Sequence, residues 1–247
     1  MKITKYENAI FGFHPIMEAI KAGKEIDTLF IQKGLKGDLF QELWTLVKSH
    51  KVVYKHVPVE KLNRLTGKNH QGVFAFVSPI NFGNTANVIP QIYEEGKTPL
   101  ILVLDRITDV RNFGAIVRTA ECSGVNAIIV PEKGSAAING DAIKTSSGAL
   151  HNIPVCREFN LRATIEFLKN SGLQIIGCTE KADDLIYTPD YTLPTAIILG
   201  SEEDGISEDF LQMCTNKTKI PMTGTIGSLN VSVSAGVVLY EAVRQRQ

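Results

Sequence analysis

Four short, nearly uninterrupted apolar runs constrain this chain more than anything else in it. They are LILVL at 100–104, NAIIVP at 126–131, LQIIGCT at 173–179 and TAIIL at 195–199. Each is too short for a globular helix, and none alternates polar with apolar residues as a half-exposed strand would. A strand that is apolar on both sides is covered on both sides, which is the signature of a parallel sheet between helical layers. The intervening stretches supply those layers. Helical spacing runs through NFGAIVRTAECSG, LRATIEFLKNSG and SEDFLQMC, and a shorter helix is expected within 139–147. KTKIP reads as a last short strand, and SLNVSVSAGVVLYEAVRQRQ as a closing helix. Residues 98–247 are therefore expected to form an α/β domain on a parallel sheet.

The first 78 residues read as a separate, smaller α/β domain. Residues 12–22 have helical spacing with Pro15 in the first turn, 27–34 read as a strand, and 38–50 as an amphipathic helix opened by Asp38. KVVYKHV and GVFAFVSPI are strands on either side of a short helix, VEKLNRLTG. Residues 79–97 mix Asn, Gly and Pro and are expected to be a linker. The formal net charge of zero hides a division: residues 1–80 carry 12 Lys and Arg against 7 Asp and Glu, a net of +5, and the remainder balances it at −5. A basic module beside an acidic one suits an anionic macromolecule docking on the first.

Composition excludes several classes. The four cysteines, Cys122, Cys156, Cys178 and Cys214, show no CxxC spacing, so reduced thiols are expected rather than a metal site. The opening MKITKYENAIFGFHP has no apolar core of leader length, and no run reaches the ~18 apolar residues of a membrane span. A cytoplasmic protein without a membrane partner is expected.

Three loops stand out where a strand hands over to a helix, the end of a parallel sheet at which ligands bind. They are DRITDVRNFGAIVRTA at 105–120, LGSEEDGIS at 199–207 and IPMTGTIGSLNVSVSAGVV at 220–238. Neither G-x-G-x-x-G nor a Walker A motif is present, which argues against a dinucleotide or P-loop site. Asn112 is placed either to cap its helix or to face a ligand. Arg118 either spreads along the surface or points into the strand-end cleft. Glu202 follows a buried strand, where a helix macrodipole favours a carboxylate and a ligand could donate to one. Gly200 lets a ligand approach the backbone. Ser228, Leu229 and Asn230 open a helix of small and β-branched residues with modest helical propensity, better explained by close packing on another backbone. His70, before a Gly turn, reads as a turn residue.

These residues carry a resemblance. D-x-x-x-V-R-N-F-G-A-I-x-R-T-A, L-G-S-E-x-x-G-I and I-P-M-x-G-x-x-x-S-L-N-V-S-V resemble the three motifs of the SpoU (TrmH) family, RNA ribose 2′-O-methyltransferases of the SPOUT superfamily. F-G-x-H-P at 11–15 and H-Q-G at 70–72 are similar to the L30e-like RNA-binding domain of the subgroup that methylates a guanosine of 23S rRNA. The resemblance implies S-adenosylmethionine as donor, a deep trefoil knot in the C-terminal domain and a homodimer built through it. By motif position it implies cofactor contacts at Gly200, Ile220 and Leu229, and active-site roles for Asn112, Arg118, Glu202, Ser228 and Asn230. A tRNA ribose methyltransferase, an rRNA methyltransferase conferring antibiotic resistance and a non-catalytic RNA-binding protein are the competing expectations.

Overall fold

A computed structural model describes residues 8–247. The first seven residues of the expected first domain, and the leader argument that rests on them, lie outside the described residues. In chain order the first unit comprises β1 (Ala9–Phe11), α1 (Phe13–Lys21), β2 (Ile26–Gln32), α2 (Asp38–Ser49), β3 (Tyr54–Val57), α3 (Val59–Leu65) and β4 (Val73–Val77). The second comprises α4 (Thr85–Glu94), β5 (Leu100–Leu104), α5 (Val110–Cys122), β6 (Ala127–Pro131), α6 (Gly140–Thr145), β7 (Val155–Glu158), α7 (Leu161–Asn170), β8 (Gln174–Cys178), β9 (Asp184–Leu185), β10 (Thr195–Leu199), α8 (Glu208–Met213), β11 (Asn216–Lys219) and α9 (Val231–Arg246). The division between them falls at Asn81 and Phe82, except that Ile138–Gly140 group with the first unit.

The first unit is a four-stranded sheet in the order β1-β4-β2-β3, with β4 antiparallel to β1 and β2, and β3 parallel to β2. Strand alternation gives it two apolar faces. Leu29, Ile31, Val73 and Ala75 pack with Ile16, Met17 and Ile20 of α1 and with Leu43 and Val47 of α2. Phe30 and Phe74, on the opposite parity, pack with Val57 and with Leu62 of α3. Phe74 meets Phe76 edge-on, 5.2 Å between ring centroids, an arrangement that aromatic quadrupoles favour.

The second unit is a seven-stranded sheet in the order β7-β6-β5-β10-β8-β11-β9, parallel throughout. The five residues of β5 and the five of β10 are all buried, as their unbroken apolarity predicts. On one face, Ile101, Val103, Ile129, Ile175 and Ile198 pack with Ile89 and Ile92 of α4, Ile165 and Leu168 of α7 and Leu211 of α8. Helices α5 and α9 pack on each other and bury Phe113, Ile116, Val117, Val231, Ala235, Val238 and Leu239.

The expected linker is a correction. Asn84 caps α4 by accepting from the N–H of Ala86 at 2.8 Å, and Ile89 is only 1% exposed. Residues 82–97 are thus part of the second unit's apolar layer. The Asn, Gly and Pro that suggested a linker serve as a helix cap, a strand bridge at Gly83 and an interruption tolerated at Pro90. Strand β7 is a second difference: VCRE is a four-residue edge strand with two polar positions and gives almost no periodic signal.

Two features place the site. The chain moves outward from β5 to β6 and β7, then crosses to β8 on the other side of β10, so the strand order reverses around β5 and β10. Such a reversal opens a crevice beyond the carboxyl ends of the strands. Helix α9 starts at this end and spans the sheet. At its far end the Arg246 guanidinium donates to the carbonyls of Tyr191, Thr98, Pro99 and Leu193 at 2.7–3.1 Å. Burial lowers the Arg246 pKa.

Candidate active site at the strand ends

Three polar side chains from distant parts of the sequence meet beyond β5 and β10. Helix α5 begins two residues earlier than Asn112, and Asp109 is its cap. The Asp109 carboxylate accepts from the N–H of Arg111 at 2.9 Å and of Asn112 at 2.8 Å. The capping reading of Asn112 is therefore corrected: with the orphan donors already satisfied, its amide is free for other work. It donates to Glu202 Oε1 at 2.5 Å. Asn230 donates to the same oxygen at 2.9 Å and to Asn112 Oδ1 at 3.2 Å. Asn230 also caps α9, its Oδ1 accepting from the Ser232 N–H at 3.0 Å. One carboxylate oxygen thus fixes two amides, and Glu202 Oε2 has no hydrogen bond among the described residues.

Glu202 is carried by a closed loop. Ser201 and Gly205 exchange backbone hydrogen bonds at 3.1 and 2.9 Å, and Gly205 has φ +69°. Gly200 lies against that loop so tightly that a Cβ would sit 2.0 Å from the Gly205 carbonyl carbon and 2.1 Å from Ile206 N. No other residue fits there.

Beside the cluster opens a cavity of about 690 Å³. Gly200, Glu202, Ile220, Ser228, Leu229 and Asn230 line it, with Cys178, Thr179, Glu180, Lys181 and Met222. Seven of the eight residues singled out in the sequence are thereby brought together or next to one another. Arg118 is not: it is exposed on α5, lines neither cavity at these strand ends, and makes no hydrogen bond or ion pair among the described residues. The sequence reading missed the contribution of β8 through Cys178 to Lys181, because nothing in LQIIGCT reveals that its carboxyl end lies next to that of β10. It also missed Asp105 and Arg106, whose only signal was a charged pair directly after an apolar strand. Burial pushes the Cys178 thiol up to about 11, leaving it protonated and inert. Among the described residues no group of three or more His, Cys, Asp or Glu could hold a metal, and no helix is long and apolar enough to cross a membrane.

Residues 99–240 match the model of the SpoU rRNA methylase family. The chain belongs to that family. Residues 9–83 match a second model, RNA 2′-O ribose methyltransferase substrate binding, which coincides with the first unit. A protein of Staphylococcus saprophyticus, named for the TrmH family of tRNA/rRNA methyltransferases, is 37% identical over 97% of this chain and 96% of its own length. The SpoU methyltransferase AviRb of Streptomyces viridochromogenes, solved in complex with AdoMet, aligns with a TM-score of 0.62 at 25% identity, covering 96% of this chain and 90% of that one. A TrmH/SpoU tRNA modifying enzyme of A. aeolicus is 31% identical, with a TM-score of 0.56, over 66% of this chain and 84% of its own. For this SpoU family member, the second and third loops noted in the sequence wall the cavity together with the end of β8, and the first supplies Asn112 beside Glu202 and Asn230.

Proposed function

We propose that this chain is a cytoplasmic, homodimeric RNA ribose 2′-O-methyltransferase that uses S-adenosylmethionine and acts on a guanosine of 23S rRNA. The observation that carries the reading is the junction of Asn112, Glu202 and Asn230 on the rim of a cavity walled by Gly200, Ile220, Ser228 and Leu229. The cavity fits the donor. Its volume lies within the range of ~300–1,000 Å³ common for small-molecule sites. Met222 and Leu229, each 39% exposed, offer apolar surface to a purine. The trefoil knot implied by the motifs belongs to this proposal, since both closing loops converge on the same cavity.

When bound, S-adenosylmethionine supplies an electrophilic methyl group on a sulfonium. The protein must then align a weakly nucleophilic hydroxyl and stabilise the charge that develops on it. Glu202 holds the two amides with one oxygen, which leaves Oε2 to accept from a ribose hydroxyl. Arg118 cannot take a proton, because a guanidinium stays charged at any physiological pH. Its role here is electrostatic. It reaches the site from a second copy of the chain: α5 and α9 share a layer, and Val233, Val237 and Tyr240 form an exposed apolar stripe on α9. A dimer paired on that layer would bring each Arg118 toward the other copy's cavity.

Calorimetric titration with S-adenosylmethionine, followed by methylation of 23S rRNA and tRNA transcripts with mass-spectrometric mapping, tests the proposal. A 2′-O-methylguanosine in the 23S transcript is expected. Modification of tRNA alone would move the assignment to the second reading, which the A. aeolicus enzyme favours. Failure to bind the donor would overturn the proposal altogether.

A further inference from the structure

Arg106 has an unusual backbone and an unusual set of partners. It stands two residues after β5 with φ +60°, a left-handed conformation that disfavours any residue with a side chain. Its Nε donates to Asp105 Oδ1 at 3.1 Å and its Nη2 to Asp105 Oδ2 at 3.3 Å. Asp105 is 3% exposed, so this fork neutralises a buried carboxylate. The remaining guanidinium protons face the Glu202 loop. Nη1 donates to Asp204 Oδ2 and Nη2 to the Gly205 carbonyl, both at 3.1 Å. Asp105 Oδ2 closes the circuit by accepting from the Ser207 N–H at 2.7 Å. The loop bearing Glu202 is therefore tied to the residues after β5 at three points, Asp204, Gly205 and Ser207.

The same loop separates two spaces. On one side lies the 690 Å³ cavity. On the other lies a smaller one of about 200 Å³, lined by Arg106, Thr108 and Asp109 and sharing Ser201 to Asp204 and Val231 with the first. Among the described residues Arg106 is the only cation bordering the smaller space, against four carboxylates at Asp109, Glu202, Glu203 and Asp204. Without that cation the three consecutive acids of the loop would repel one another and Asp109.

We propose that Arg106 is a positioning residue for methyl transfer: it anchors the 201–207 loop on Asp105 so that the Glu202 carboxylate stays locked against Asn112 and Asn230 at the wall between the two cavities. The inference rests on reading the larger cavity as the donor site. In that left-handed conformation one guanidinium reaches both Asp105 and the loop.

Arg106→Gly is the informative variant, since glycine adopts φ +60° without strain, so the side chain is removed with no new backbone conflict. Its Kd for S-adenosylmethionine is expected to rise about tenfold, and kcat at saturating donor to fall about tenfold or more. Arg106→Lys keeps the charge without the fork; an unfolding midpoint like that of wild type with a several-fold lower kcat is expected. The decisive comparison combines Arg106→Gly with Glu202→Ala. If Arg106 acts through Glu202, the double variant is as active as Glu202→Ala alone, within about twofold. Multiplying losses would overturn the inference, as would wild-type kcat and donor affinity in both Arg106 variants. Should Arg106→Gly fail to fold, the lysine variant and its double with Glu202→Ala decide by the same criteria. Loss of donor binding in the wild-type protein would instead overturn the reading of the cavity, so the two failures are distinguishable.

Discussion

At the scale of single residues, Asn230 does two jobs that substitution can separate. Its Oδ1 caps α9, and its Nδ2 ties Glu202 to Asn112. Asn230→Ser keeps a capping oxygen and loses the amide donor, so unfolding should shift by less than about 0.5 kcal/mol while single-turnover methylation falls at least about tenfold. Asn230→Ala should lose both, with about 1 kcal/mol of stability gone. Equal activity of the serine variant and wild type in rapid-quench assays would refute the junction's role. His70 offers a test in the first unit. Its Nδ1 accepts from the Gly72 N–H at 3.0 Å while Nε2 donates to Asn63 Oδ1 at 2.9 Å, which fixes the neutral ring, and burial lowers its pKa below 6.5. A lowered folded value means the stabilisation is complete above pH 6.5 and is lost as pH falls toward the folded value. Urea midpoints should therefore decline below that pH, by no more than about 1.4 kcal/mol per unit from this group, and His70→Gln should flatten the decline. The motifs made the identities of Asn112, Glu202 and Asn230 legible in the sequence, but not their division of labour. Which of several Asn and Ser residues caps a helix depends on where the helix begins, and Asp109 was hidden by a boundary two residues out of place.

At the scale of elements, α9 carries the sharpest consequence. Its buried positions, Val231, Ala235, Val238, Leu239 and Ala242, leave Val233, Val237 and Tyr240 aligned on another face, at 51%, 36% and 53% exposure. In the proposed dimer this stripe is the contact surface. Val237→Glu places a carboxylate in its middle without touching the protomer's core, so unfolding should change little. In sedimentation velocity the wild type is expected as a dimer and the variant as a monomer, with methylation lost because Arg118 no longer reaches a neighbouring site. A monomeric wild type with full activity would refute this arrangement. Strands β5, β6, β8 and β10 and their helices were readable because unbroken apolarity leaves little choice. The edges were not: β1, β7 and β9, of three, four and two residues, follow from pairing rather than from composition. The helix α4 was concealed by Asn, Gly and Pro, each of which has a role at a helix end as well as in a linker.

At the scale of the whole molecule, each unit owns an apolar core, the first drawn from residues up to 77 and the second from residues beginning at 88. A protein lacking residues 1–81 should therefore fold and bind S-adenosylmethionine within about twofold of the full chain. It should lose RNA affinity together with the steep decline of that affinity on raising salt, since counterion release scales with the lysines and arginines engaged. Unchanged RNA binding by electrophoretic shift would refute the assignment of recognition to the first unit. The order of strands has one further effect, felt during synthesis. The seat between β5 and β8 is filled only by residues 195–199, four-fifths of the way along the chain. Until they leave the ribosome, two apolar strand edges wait side by side with no neighbour, and domains built from such late, distant pairings close slowly and aggregate when interrupted. A transcript cut short anywhere upstream yields no weakened methylase, only an unfinished sheet for the proteases.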